Sequence, residues 1–144
     1  MPALRTSVRA EAFAGAVVLV VTGFLVSRQP AKDAYAPSFT DRAPAGPYTA
    51  VVSVEQTRIG PETVDLHMID TATGAPVAAQ SAAGQLALPD RDLGPFQVRM
   101  LPTGQTGGFT GQLPVSAAGQ WELLFTIQLD PLTAYVTESF YTVR

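Results

Sequence analysis

Hydrophobic and polar side chains alternate with a period of two over most of the chain after Tyr48. The pattern is clearest from Trp121 to Leu129, where large apolar residues occupy every second position, as in a strand with one face in a core. Gly, Pro and Asp turns bound the other alternating segments, and residues 90–95 are predicted to be a loop. The predicted strands are 48–54, 64–69, 76–88, 96–100, 109–113, 121–129 and 134–143. About seven strands without a helical pattern are typical of an all-β, immunoglobulin-like sandwich, with a small open barrel as the alternative.

The N-terminal region has a different pattern, an uncharged apolar run from Ala12 to Val26. At ~1.5 Å per residue the run is shorter than the ~30 Å hydrocarbon core of a bilayer, but Arg9 and Arg28 at its ends can extend their side chains to the two headgroup layers. The sequence therefore predicts four parts: a lead at 1–11, a transmembrane helix at 12–28, a Pro-rich linker at 29–47 and a domain at 48–144. The basic residues of the lead favour a cytoplasmic lead and an extracytoplasmic domain, but the basic residues on the other flank leave the orientation open from charge alone.

A cleaved secretory signal is the alternative interpretation of this run. Arg5 and Arg9 would form its positive segment, and Ala34-Tyr35-Ala36 matches the small-residue pattern of a cleavage site. Cleavage there would place Pro37 directly after the scissile bond, where its fixed φ fits an extended substrate groove poorly. The retained membrane helix is therefore the preferred prediction.

Composition and charge narrow the possible functions. The 144 residues contain no cysteine, which excludes disulfides, zinc-thiolate sites and a thiol nucleophile. The formal net charge of -3 is unevenly distributed, since residues 1–47 carry +2 and residues 48–144 carry -5. The C-terminal part has no lysine and no basic cluster, so nucleic acid is excluded as a partner.

The candidate metal ligands are His67, the only histidine, and Met100. Imidazole and thioether groups suit copper, and the two residues lie on the second and fourth predicted strands. Met68 is expected to point into the core, because it alternates with His67 on the same strand. The alternative is that His67 is an exposed imidazole beside Asp65 without a metal role.

Other chemistry is less well supported by the sequence. Asp70, Asp90 and Asp92 are too few for a calcium site, which needs six to eight oxygen ligands, and are interpreted as turn residues. No nucleophile motif accompanies His67, so the chain is not expected to be an enzyme. Trp121 belongs to the apolar stripe of its strand and is predicted to be a core residue.

Several segments resemble the C-terminal end of the bacterial copper resistance protein D family. They are residues 5–12 (RTSVRAEA), the apolar run, 46–54 (GPYTAVVSV), 63–70 (TVDLHMID), Leu88-Pro89, 93–95 (LGP), Leu113-Pro114 and 119–123 (GQWEL). In that family the last membrane helix precedes an extracytoplasmic β-sandwich similar to YtkA-like and FixH-like domains. Residues 91–96 stand where some YtkA-like domains have a loop rich in Met and His.

The resemblance implies an accessory or interaction domain of a copper transport or copper resistance system in the bacterial cell membrane. Full-length family members have several membrane helices before this point, so the chain resembles a detached C-terminal module. The implied partners are the lipid bilayer, other membrane helices and a copper-handling protein. The alternative is a membrane-tethered structural sandwich, or an exported binding domain, with no metal role.

Overall fold

Residues 37–144, which the computed structural model describes, are mostly β-strand. One short 3-10 helix, Pro89–Arg91, interrupts them. The strands are β1 (Phe39–Ala45), β2 (Tyr48–Val54), β3 (Gly60–Asp70), β4 (Ser81–Leu88), β5 (Leu93–Arg99), β6 (Leu101–Pro102), β7 (Gly108–Val115), β8 (Gly119–Asp130) and β9 (Thr133–Val143). Within 37–144 no helix has the length and hydropathy needed to cross a membrane. The predicted membrane helix at 12–28, and the alternative signal peptide, lie outside the described residues.

The strands form two antiparallel sheets. The first sheet has the order β1-β2-β3-β7-β6 and the second the order β5-β4-β8-β9. Their inward faces share one hydrophobic cluster, which is the arrangement of a β-sandwich. The predicted all-β sandwich is confirmed at this level, with nine strands in residues 37–144 instead of about seven.

The core is built from alternate residues of β3 and β8, the two strands with the clearest pattern. All of these side chains are fully buried: Val64, Leu66 and Met68 on β3, and Trp121, Leu123, Phe125 and Ile127 on β8. Each contributes ~1.5–3 kcal/mol by leaving water. The predictions for Met68 and Trp121 are therefore confirmed. Leu129 is only partly buried, since the pairing of β8 with β9 shifts between Gln128 and Asp130.

Strand β4 is shorter than predicted and lies directly beside β8. Its glycine, Gly84, pairs with Phe125 of β8 and with Val98 of β5. A Cβ atom at Gly84 would lie 3.2 Å from the Phe125 ring and 3.1 Å from the Val98 side chain. The glycine that weakens the strand pattern is thus the residue that leaves room for the aromatic core.

The chain changes sheets after β5, in a region where the sequence prediction is partly wrong. Residues 93–95 were predicted to be loop but begin β5, and the two-residue β6 pairs with β7 of the other sheet. Met100 lies at this change of sheet, between β5 and β6. Its position there determines which face of the first sheet its side chain reaches.

The predicted linker 29–47 is wrong for residues 39–45, which form β1. Every residue of β1 is paired with a residue of β2, from Phe39 with Val54 to Ala45 with Tyr48. The compact unit accordingly begins at Ala36 and not at Tyr48. An edge strand tolerates proline and charged residues. Because residues 39–45 contain both, their sequence does not show the alternating pattern of a strand.

Strand β1 also contacts β9, the edge strand of the second sheet, through side chains. The rings of Phe39 and Tyr141 are 5.6 Å apart between centroids, and the Ser139 hydroxyl donates a 2.7 Å hydrogen bond to Asp41 Oδ2. Gly46, in the turn after β1, lies against the Tyr135 ring, and any Cβ there would clash with it. These contacts close one side of the sandwich.

The closed side contains more polar groups than the rest of the core. Glu62 is almost fully buried and pairs with Arg58 at 3.0 Å. Burial, with a smaller contribution from the Glu62 carboxylate, raises the pKa of the Tyr141 hydroxyl above its ordinary value. Within residues 37–144 the buried hydroxyls of Thr137 and Tyr141 have no hydrogen-bond partner. The Asp41–Ser139 bond, in contrast, gives the buried Ser139 hydroxyl a partner at the contact between β1 and β9.

Replacing Asp41 with alanine tests whether β1 belongs to the domain. Ser139 is 1% exposed, and the substitution leaves its hydroxyl without an acceptor, which should lower the free energy of unfolding by about 1–3 kcal/mol. Asp41→Asn keeps an acceptor and should recover most of the loss. Urea unfolding followed by Trp121 fluorescence measures both. If Asp41→Ala costs no more than the surface substitution Asp90→Ala, residues 39–45 behave as a linker.

Candidate functional site

His67 lies on the outer face of the first sheet, near the end of β3. Its neighbours in the sheet are Val51 on β2 and Gly108 on β7. Leu66 and Met68 on either side of it are fully buried, whereas His67 is partly exposed. The period of two therefore places the imidazole on the outer face together with Asp65, as the sequence predicted.

The imidazole borders an open pocket of about 520 Å³. One wall is apolar and consists of Ile69 and Pro76. A second wall is the loop 103–107, which supplies Gly104, Gln105 and Thr106. The lining residues other than His67 have no ionisable side chain.

Hydrogen bonds hold the loop 103–107 in a compact conformation beside β3. The Thr103 N–H donates to the Gly108 carbonyl at 3.1 Å, and the Gly108 N–H donates to the Gln105 carbonyl at 3.0 Å. The Gly107 carbonyl accepts a 3.0 Å bond from the Met68 N–H. One wall of the pocket is thus bonded to the strand that carries His67.

Gly108 keeps the space between the loop and the imidazole open. A Cβ atom there would lie 2.5 Å from Thr103 Oγ1 and 3.2 Å from both Cε1 and Nδ1 of His67. The Thr103 hydroxyl and the imidazole therefore approach the same point from two sides. Together with Gln105, which also lines the pocket, they could contact a small polar group.

Met100 lies on the opposite face of the same sheet. It is 7% exposed, and its sulfur packs on Gly111, where an added Cβ would lie 2.6 Å from it. Gly111 is on the core side of β7, between the buried Phe109 and Leu113, whereas Gly108 is on the side of His67. The structure therefore does not bring His67 and Met100 together.

Asp70, Asp90 and Asp92, which the sequence analysis interpreted as turn residues, lie in or next to turns. Asp70 Oδ1 accepts the N–H groups of Thr73 at 3.0 Å and Ala72 at 2.8 Å, and these bonds hold the pKa of Asp70 below its ordinary value of 3.8. Asp90 lies in the 3-10 helix, and Asp92 follows it. Within residues 37–144 no three His, Cys, Asp or Glu side chains form a group that could hold a metal ion.

The loop 103–107 is the part of the candidate site that sequence reasoning missed. Its signal was present in Gly104 and the pair Gly107-Gly108, which mark a tight turn after a strand. What the sequence does not reveal is that β7 pairs with β3, which brings Gly108 beside His67. Nothing in the local pattern specifies that pairing.

Comparison of the chain with models of known protein families, with curated proteins and with solved structures found no match. The resemblance to the copper resistance protein D family therefore stays a prediction from the sequence.

Alanine substitutions should separate the roles of the two candidate ligands. Met100→Ala removes a buried side chain and should lower the free energy of unfolding by about 2–5 kcal/mol. His67→Ala removes a partly exposed ring and should cost less than about 0.5 kcal/mol. Chemical unfolding of the purified variants measures both. A loss at His67 as large as that at Met100 would mean that the imidazole has a structural role.

Proposed function

We propose that this chain is a membrane-anchored accessory domain of a bacterial copper transport or copper resistance system. In this proposal a single helix at 12–28 crosses the cell membrane, and an immunoglobulin-like sandwich lies on the extracytoplasmic side. The domain is not an enzyme, and its partners are the bilayer, other membrane helices and a copper-handling protein. The family resemblance of the segments around Thr63–Asp70 and Gly119–Leu123 supports this assignment.

The position of His67 is the observation that carries the proposal. The only imidazole of the chain is on the outer face, at the rim of an open pocket, where a partner could reach it. A borderline nitrogen ligand of this kind suits copper. Because Met100 is on the other face of the sheet, the domain would supply one strong ligand, and the partner would supply the others.

A metal-independent role is the second candidate, either as a membrane-tethered structural sandwich or as an exported binding domain. The observation that favours it is on the second sheet, where β9 exposes Val136 and Phe140 to solvent. Exposed apolar side chains on a strand at the edge of a sheet are a common feature of protein contacts. This role would require no copper.

Copper titration distinguishes the two candidates. Cu(I) and Cu(II) are added in turn to the purified full chain and to its His67→Ala and Met100→Leu variants, with binding followed by calorimetry. We expect weak binding by the parent chain, at least about tenfold weaker binding by His67→Ala, equal to about 1.4 kcal/mol, and no change for Met100→Leu. Identical binding by the parent and His67→Ala, or none by either, would remove the metal role.

A further inference from the structure

The two outer faces of the sandwich differ in chemistry. On the first sheet, β2, β3 and β7 turn mainly polar side chains outward, among them Ser53, Asp65 and Gln112. On the second sheet, β8 and β9 turn Leu124, Val136 and Phe140 outward, with Val136 60% and Phe140 47% exposed. Val136 and Phe140 point outward because they alternate along β9 with Thr137, Ser139 and Tyr141, which point inward.

Two carboxylates lie within this apolar surface. Glu122 on β8 is paired with Phe140 on β9, and Leu124 is paired with Glu138. The two glutamates are thus diagonal neighbours on one face, within reach of each other. A hydrogen bond with Glu138, then partial loss of solvent and then charge repulsion raise the pKa of Glu122 above its ordinary value.

Neither carboxylate forms an ion pair within residues 37–144, where the one salt bridge joins Arg58 and Glu62. Two arginines lie near this face, Arg99 on β5 at the opposite edge and Arg144 directly after β9. Arg99 is two strands from β8 and three from β9, which is about 10 Å and 14 Å at the usual spacing. The residues that pair between Arg99 and these strands, such as Ala83 and Thr126, are neutral. Arg144 follows Phe140, the partner of Glu122, by four residues, which is about 13 Å along an extended strand.

We propose that the surface formed by Glu122, Leu124, Val136, Glu138 and Phe140, here called the β8–β9 face, binds a protein segment that carries a Lys or Arg flanked by apolar side chains. One cation between the two carboxylates would replace their repulsion by attraction. The apolar neighbours would cover Val136 and Phe140 and exclude water, which strengthens the charge interaction.

Charge complementarity selects this partner over the alternatives. A second copy docked face to face would add two more glutamates to the surface, and like charges opposed in this way are unfavourable. An anionic lipid surface has the same sign as the face. The proposal extends the interaction role suggested above, but it involves neither copper nor His67, which lies on the other sheet, so the two can fail independently.

NMR titration of the full chain with a short peptide tests the proposal. The probe is an acetylated and amidated pentapeptide, Val-Thr-Lys-Thr-Val, whose two valines and lysine share one face when extended. We expect saturable amide shifts confined to β8 and β9, and a fall in the pKa of Glu122. The peptide with Gln in place of Lys should bind at least about tenfold more weakly, equal to about 1.4 kcal/mol.

Matched variants show whether the effect is local. Glu122→Gln with Glu138→Gln should abolish the shifts, and Phe140→Ser should weaken them. The control Glu55→Gln with Asp90→Asn removes the same charge from exposed positions elsewhere and should bind like the parent. The proposal is overturned if the Lys and Gln peptides bind equally well, or if no shifts occur on this face. It is also overturned if the control variant loses as much binding as the double glutamate variant. The same shifts with magnesium or calcium chloride alone would overturn it as well.

Discussion

Alternate side chains of β8, buried between the two sheets, form the centre of the hydrophobic core. Trp121 and Phe125 are fully buried there, and the Trp121 indole N–H donates a 2.9 Å bond to the Ala117 carbonyl. Because successive strand residues point to opposite faces, this burial also fixes what is turned outward. Glu122 and Leu124 are turned outward as a direct consequence of the core, and the same rule on β3 places His67 outside.

The sequence is most informative where one face of a strand is buried and the other is solvated. Strand β2 was predicted with its observed bounds, and β8 to within two residues. Strand β1 was missed, because it is held by pairing with β2 and by side-chain contacts with β9, about 100 residues away. Strand β4 was ambiguous, since the meaning of Gly84 depends on Phe125, a neighbour distant in the sequence.

In the candidate site too, some features follow from local alternation and others depend on residues distant in the sequence. The outward orientation of His67 followed from the period of two, and so did the burial of Met68. The proposed pairing of His67 with Met100 could not be checked from the sequence, since it depends on how the chain changes sheets after β5. The loop 103–107 and the pair of glutamates on β8 and β9 likewise depend on strand register, which sets neighbours that local patterns do not specify.

Residues 39–143 form one two-sheet sandwich, closed on one side by β1 against β9. Amide hydrogen exchange of the full chain, followed by NMR, shows whether β1 is an integral strand of this sandwich. We expect slow exchange at alternate amides of β1, those that bond to β2, together with the slowest exchange in β3 and β8. Fast exchange throughout residues 39–45, while β8 remains protected, would contradict it.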